Sequence, residues 1–336
     1  MSNLERIIIN TLAWFDVSDY PLTLWECWYY LWDEQFLLFQ PVSLNDIRQS
    51  LQNLQRQGLV KTERGFWYLS DRVDDLVSGR LRRSRWAVGK YKKAVKGARL
   101  INRCPFVIMV GLVNTMAWDA PARESDIDLF IITKPGHLFT ARGLVSLATQ
   151  LLGWRRHAWH ITNRLCLSFY ATTEVLDLRP LAYPDDPYLR FWVASLRWLG
   201  GAADAYYSFR QANAWLEKEL PNYWRVNLNQ LSLPINPWFN QTTRRREKIN
   251  QPRSTSVMVG SLEKIMRRWQ LSYMLKFGRG RFSRHGDGSS AVVINQQMLK
   301  FHESDARPRL AALYRRRLAE INNHVIVPEV DNKTGG

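Results

Sequence analysis

The chain has 336 residues, 46% of them hydrophobic, and carries 47 Lys and Arg against 30 Asp and Glu, a formal net charge of +17. That apolar content excludes a disordered chain, and the length calls for more than one domain. No apolar run approaches the roughly 20 residues that span a bilayer, and Glu5 and Asn10 interrupt the only stretch that could act as a signal peptide. The expectation is a globular cytoplasmic protein with no membrane partner. Its charge points to a polyanion, for which nucleic acid is the usual candidate and nucleotide phosphates also qualify.

Ser2 and Glu5 form a capping box, and Leu4, Ile7, Ile8, Leu12 and Phe15 recur at helical spacing, which predicts a first helix. Asp19 to Thr23 reads as a turn, Trp25 to Trp32 as a second helix, and Ser43 as the cap of a third with Leu44, Ile47, Leu51 and Leu54 on one face and Gly58 at its end. Residues 59–62 and 66–69 then read as two strands around the Glu63-Arg64-Gly65 turn. Three helices and a hairpin make a winged helix over residues 1–70. The outer face of its third helix offers Asn45, Arg48, Gln49, Gln52 and Arg56 to a DNA groove. Residues 1–70 nevertheless hold 5 Lys and Arg against 8 Asp and Glu, so a structural role or a protein partner is favoured over base reading.

From residue 71 to 103 the charge inverts to 11 Lys and Arg against 3 Asp. The apolar spacing of Leu76, Val77, Leu81, Val88, Val95 and Ala98 predicts a long linking helix over 71–104, whose basic back is either solvated or set against nucleic acid. Phe106 to Val110 is an apolar run ending in Gly111, and Asp126 to Ile132 is a second strand; both read as central in a sheet. A helix over 138–152 and a strand over 165–170 follow. Beyond residue 183 the pattern is mainly helical, with a long polar loop at 229–256 and a glycine- and arginine-rich stretch at 278–290.

Asp126 and Asp128 lie at i and i+2 on one strand, so their side chains share a face. Carboxylates that close repel unless a cation or a proton intervenes, and oxygen ligands favour magnesium. A bare Asp-x-Asp is most often a hydrated strand end, and its setting carries the rest of the reading. An apolar strand ends in Gly111, a polar connection follows, and Ser125-Asp126-Ile127-Asp128 opens a second apolar strand. This arrangement resembles the signature of DNA polymerase beta-type nucleotidyltransferases. The whole chain also resembles uncharacterised bacterial proteins that carry such a domain behind an N-terminal winged helix.

The resemblance implies an α/β (α+β) fold: a mixed-sheet nucleotidyltransferase domain over 105–182, preceded by the winged helix and followed by a mainly helical region over 183–336. It implies that Mg2+, held by Asp126 and Asp128, bridges them to a nucleoside triphosphate whose phosphates lie against the glycine turn. Gly111, Leu112, Asn114, Thr115 and Ser125 are the nucleotide-binding candidates. A nucleoside monophosphate would pass to a hydroxyl acceptor, RNA or DNA among the choices. Two departures stand out. Leu112 occupies a position that is usually small or polar, which leaves Asn114 or Thr115 to contact phosphate. Such enzymes also carry a third carboxylate on a later strand, whereas residues 165–170 hold none, so Glu174, or else Asp177, is the candidate beyond that strand's end. A catalytically degenerate relative acting as a nucleic-acid-binding or regulatory module is the alternative.

Three further features have plainer readings. Cys27, Cys104 and Cys166 are odd in number and scattered, which predicts buried free thiols. His157 and His160, beside Arg155, Arg156 and Trp159, read as a basic surface turn near phosphates rather than a metal site. Residues 302–305 read as a helix cap, and of the arginine clusters at 244–246, 267–268, 278–281 and 315–317 the stretch 278–290, with Phe282, reads as the single-strand nucleic-acid contact, whereas Trp269 and Tyr273 among them read as core aromatic residues.

Overall fold

The computed structural model of the protein describes residues 1–38, 40–72, 75–157, 159–183, 187–226, 257–277, 290–302 and 305–326. The loop expected at 229–256 and the arginine clusters at 244–246 and 278–281 lie outside them.

The N-terminal elements follow the local signals. Helix α1 (Asn3–Asp16) starts at the capping box, with the Glu5 amide donating to Ser2 Oγ at 3.2 Å and the Ser2 amide to Glu5 Oε2 at 2.7 Å. Helices α2 (Leu24–Tyr29) and α3 (Leu44–Arg56) start with the same device, built from Thr23 with Glu26 and from Ser43 with Asp46. Strand β1 (Leu22–Thr23) was expected as part of a turn. It pairs with β3 (Phe66–Leu69), which also pairs with β2 (Val60–Glu63), giving a three-stranded antiparallel sheet in the order β1-β3-β2. Two residues are too few to show a periodicity of their own. Asn45, Arg48, Gln49, Gln52 and Arg56 are exposed on α3.

Helix α4 (Leu76–Ile101) leads into a mixed six-stranded sheet formed by β4 (Val107–Leu112), β5 (Ile127–Thr133), β6 (Leu165–Thr172), β7 (Arg197–Gly201), β8 (Val292–Ile294) and β9 (Met298–Phe301), in the order β7-β4-β5-β6-β9-β8. Only β5 and β6 run parallel. Among the described residues the remaining α-helices are α5 (Leu138–Leu151), α6 (Pro187–Ser195), α7 (Ala203–Ala212), α8 (Pro221–Arg225), α9 (Val257–Phe277) and α10 (Arg307–Ile326). Trp269 and Tyr273 of α9, expected in the core, are exposed, because α9 turns its Glu263 side rather than theirs to α5. The region beyond 182 therefore gives three strands to the sheet as well as helices. Each is five residues or fewer, short enough to escape a search for sustained alternation.

Both faces of the sheet are covered. On one, Ile127, Leu129 and Ile131 of β5 pack with Ala94 and Ala98 of α4 and with Leu138, Phe139 and Val145 of α5. Gly97 lets α4 approach the sheet closely, since a Cβ there would stand 2.6 Å from Leu165 Cδ1. Helix α9 braces α5: both Glu263 carboxylate oxygens accept from the exposed first turn of α5, at Phe139 N and Thr140 N, each at 2.8 Å.

On the other face, Phe130, Ile132, Phe169 and Ala171 belong to a cluster that runs through α6, α7 and α10 into the core of the N-terminal helices. Phe191 of α6 is its hinge, stacked on Trp14 at 5.5 Å between centroids and edge-on to Phe15, Tyr30 and Trp32. Residues 1–70 thus share one aromatic core with the sheet. Two side chains expected on the basic back of α4 are also buried: Arg80, which lies 3.5 Å over the Tyr20 ring and donates to Glu26 Oε1 at 2.8 Å, and Lys90. No helix among the described residues is long and apolar enough to cross a membrane.

At Gly201, φ is +102° and a Cβ would stand 2.2 Å from the Ile108 carbonyl oxygen. Gly201→Ala is expected to cost about 3 kcal/mol or more, from overpacking and backbone strain together, read as a lowered urea midpoint. An unchanged midpoint would mean that β7 does not pair with β4 at this register.

Candidate functional site

The start of β5 places the acidic pair. Ile127 and Leu129 point into the α4 and α5 layer, which turns Asp128 to the opposite face, and Asp126 immediately precedes the strand. β6 runs parallel in a register that sets Cys166 beside Asp128. One ligand atom from each of Asp126, Asp128 and Cys166 falls within 4.8 Å of the others. The two expected metal ligands are therefore brought together, and a thiol stands where a third donor would lie.

The surroundings are cationic. Arg156 follows the turn after α5, held by its amide to the Leu165 carbonyl at 3.0 Å. Its guanidinium makes an ion pair with Asp126 Oδ2 at 2.9 Å and donates to Cys166 Sγ at 3.7 Å. Asp126 Oδ2 is buried and accepts no hydrogen bond beyond that ion pair. Lys90 reaches from α4 and donates to the Ser125 carbonyl at 2.6 Å. Burial pushes its amine down, against the opposing pull of Asp126 and Glu124.

Burial, reinforced by the negative charge of Asp126, raises the Asp128 carboxyl to about 6, while hydrogen bonds from Asn114 and Cys166 and the charge of Arg156 pull the other way. Burial and the two carboxylates push the Cys166 thiol up to about 12, so it is protonated at neutral pH and a poor ligand for a hard cation.

The nucleotide-binding candidates separate. Gly111 and Leu112 lie inside β4 rather than in a turn, paired with Phe130 and Leu129 on one side and with Trp198 and Arg197 on the other. The missing Gly111 side chain makes room for Leu196, whose Cδ2 would lie 3.0 Å from a Cβ, and Leu112 is fully buried. These positions serve packing, and the phosphate turn expected at Gly111 is not there. The chain turns at Asn114, where φ is +59°. Asn114 bonds Asp128 and accepts from the Tyr188 hydroxyl at 2.8 Å. Thr115 is exposed in the short 3-10 turn that follows. Ser125 directs its hydroxyl to the Ala122 carbonyl, while its own carbonyl receives Lys90.

Glu174 is not part of the site. It follows the C-terminal end of β6, beyond the pair Thr133 and Thr172, whereas Asp128 pairs with Cys166 at the other end of the same two strands. Its carboxylate accepts from Gln297 Nε2 at 3.1 Å. Asp177 is taken up by Arg179 at 2.8 Å. Among the described residues, the groups gathered with Asp126 and Asp128 include no third carboxylate.

His157 and His160 exchange backbone hydrogen bonds across an exposed turn. Arg156 of that same stretch enters the site. Cys166, Lys90 and Tyr188 were not read as site residues. Cys166 escaped because its place depends on the register of β6 against β5, which sets it beside Asp128 and which no local signal gives.

A cavity of about 220 Å³ opens on the Asp128 side of the sheet, with Asn114, Phe169, Tyr188, Trp192 and His302 in its walls. His302 Nε2 lies 3.4 Å from Ser168 Oγ, which is 3.4 Å from Cys166 Sγ. Polar side chains thus run from the acidic pair to the cavity.

Compared with family models, with curated proteins and with solved structures, the chain finds no match in any of the three.

The sign of the Asp128 shift has a consequence for stability. A carboxyl raised above its unfolded value favours folding when protonated, and that contribution is lost as pH rises from about 4 through about 6. Asp128→Asn is therefore expected to raise the melting temperature at pH 8 relative to the native chain and to leave it nearly unchanged at pH 4. A variant less stable at pH 8 would contradict the unfavourable charge assigned to Asp128.

Proposed function

We propose that the chain is a magnesium-dependent nucleotidyltransferase of the DNA polymerase beta type, which moves a nucleoside monophosphate from a nucleoside triphosphate to a hydroxyl acceptor. The observation that carries this reading is the pair Asp126 and Asp128, on one face of a strand in a mixed sheet, their carboxylates within 4.8 Å of each other and Asp126 Oδ2 buried with no partner beyond its ion pair with Arg156. Such a donor set accommodates a hard divalent cation, because magnesium takes one or two carboxylates and completes its shell with water and substrate phosphates. Bound there, the ion would offset charge on the phosphate oxygens. Lys90 and Arg156 place further positive charge beside the pair, and Asn114 is oriented to offer an amide toward the same space.

The N-terminal three helices and three-stranded sheet fit a winged helix. Its acidic balance supports a protein partner over DNA, and the exposed Arg82, Arg85, Lys92 and Lys96 of α4 offer a nucleic-acid acceptor positive charge outside that module. Three free buried cysteines accord with a cytoplasmic setting.

One observation favours the second reading, a relative that binds nucleotide without turnover. The place of a third carboxylate is taken by Cys166, whose protonated thiol is unsuited to accept the acceptor's proton.

Release of pyrophosphate from each nucleoside triphosphate, with magnesium and candidate hydroxyl acceptors, decides between them. On the first reading Asp126→Ala and Asp128→Ala each lower release by about 100-fold or more, the scale on which a single electrostatic group acts in a transition state. Activity equal to that of the native chain would sink it. On the second, native protein shows a magnesium-dependent thermal shift with nucleotide and no release, and Cys166→Asp tightens magnesium binding in the presence of nucleotide about tenfold, as one added charged ligand allows.

A further inference from the structure

The cavity beside Asp128 has a character distinct from the acidic pair. Phe169 and Trp192 are buried, 5.5 Å apart between ring centroids, and the ring of Tyr188 joins them in the lining. The volume of about 220 Å³ lies below the roughly 300 Å³ at which pockets begin to hold drug-sized ligands. It accommodates one ring system and neither a whole nucleotide nor a strand of nucleic acid.

The polar part of the wall is unfinished. His302 Nδ1 is buried and has no hydrogen-bond partner, although Nε2 of the same ring lies within reach of Ser168. An unpaired buried nitrogen of this kind carries a desolvation cost, which a ligand atom in the cavity would remove. Its neighbours are polar and well held. Lys300 donates to the Ser290 carbonyl and Arg307 pairs with Asp305, both at 2.5 Å. Burial, aided by Lys300, pushes the His302 imidazole down to about 3, so it meets a ligand in its neutral form. Asn114 belongs both to this wall and to the Asp128 site, where it accepts from Tyr188 and bonds the carboxyl. Whatever fills the cavity therefore touches a side chain that also holds Asp128.

We propose that this cavity binds a single aromatic or heteroaromatic ring, packed against the Phe169–Trp192 pair and Tyr188 with a polar ring atom on His302 Nδ1, and that it presents the remainder of that molecule to Asp128. Aromatic walls favour a flat π-system over an aliphatic group of equal size, since offset-stacked and edge-on contacts add to simple burial. The ring is either the base of the nucleotide or the ring of a hydroxyl-bearing acceptor. The assignment of what lies beyond the ring rests on the nucleotidyl-transfer reading; the ring site does not.

Saturation-transfer difference NMR on the full chain tests this with two probe series, the four ribonucleosides on one side and phenol and 4-hydroxybenzoate on the other. Ala306 lies in the cavity wall and is itself exposed, just before α10, so Ala306→Trp is expected to plug the cavity without disturbing the core. We expect ring-proton saturation with at least one series, reduced tenfold or more in Ala306→Trp and at least threefold in His302→Leu, at unchanged melting temperature for Ala306→Trp. Saturation by nucleosides assigns the ring to the nucleotide, and saturation by phenols assigns it to the acceptor. No saturation with either series, or equal saturation in Ala306→Trp, overturns the proposal. Asp128→Asn separates the two readings: ring binding that persists in this variant while the native chain shows no magnesium-dependent transfer keeps the cavity and removes the enzyme. Transfer by the native chain without ring binding does the reverse.

Discussion

Two like charges at the entrance to a buried strand set the terms for the rest of the molecule. At a separation of about 5 Å and an effective dielectric of about 20, two carboxylates repel by about 3 kcal/mol, a large fraction of the stability of an ordinary domain. Asp126 and Asp128 meet that condition, and three separate elements respond to it. Arg156 arrives from the turn after α5, Lys90 from α4, and Asn114 from the turn after β4, in a left-handed conformation that favours few residues other than glycine and asparagine. The compensation is incomplete. Burial, reinforced by the charge of Asp126, still holds the Asp128 carboxyl above the usual carboxylate range.

The frame that holds these groups depends on the N-terminal module as much as on the sheet. The loop from Asn114 to Ser125 carries no long element of its own, and the segments around it fix its course. Tyr20 donates to the Trp118 carbonyl, Ser84 to the Asp119 carbonyl at 3.3 Å, and Arg197 of β7 grips both Asp119 oxygens at 2.7 and 2.9 Å. Arg80, stacked on Tyr20 and paired with Glu26, ties α4 to α2 in the same neighbourhood. With Phe191 of α6 packed among the N-terminal aromatic rings and its neighbour Trp192 against Phe130 and Phe169 of the sheet, residues 1–70 act as a buttress for one edge of the site. This casts them in a structural role whatever else their exposed α3 face contacts.

Much of this was legible. The Ser2–Glu5 capping box, the stripe of α1 and the two apolar strands around Gly111 and Asp126 are local signals, and they appear where the residues placed them, whereas Leu44 of α3 and Val88 of α4, read as members of apolar faces, are exposed. The acidic pair was legible for the same reason, since a spacing of two on a strand fixes a common face. What escaped depended on register and on long-range pairing. Gly111 looked like the end of a strand because glycine commonly ends one; it sits in the interior because Leu196, some 85 residues away in sequence, packs where its side chain would be. Glu174 looked reachable only while the direction of β6 was unknown. Once β6 runs parallel to β5, a residue past its C-terminal end is carried the length of the strand away from Asp128. Lys90 and Arg80 belonged to a basic stripe whose solvated face was the natural expectation, and only tertiary contacts reveal that these two turn inward.

The thiol at position 166 gives the site its individual character. With Arg156 and Lys90 facing Asp126 and Asp128, the formal charges of the four groups cancel, whereas a carboxylate at 166 would leave one negative charge in excess. A third carboxylate attracts a bare divalent cation strongly; a charge-balanced cluster does not, because the ion would leave an uncompensated positive charge in a partly buried place. A magnesium ion arriving with the phosphates of a nucleotide would, on the proposed reading, bring its own countercharge, and Arg156 and Lys90 would supply positive charge for the phosphates. On the proposed reading, Cys166 therefore shifts the cluster from a resident metal site toward one assembled jointly by metal and nucleotide. Asn114, which touches Asp128 on one side and the aromatic cavity on the other, is the side chain through which the occupant of that cavity would bear on the assembly.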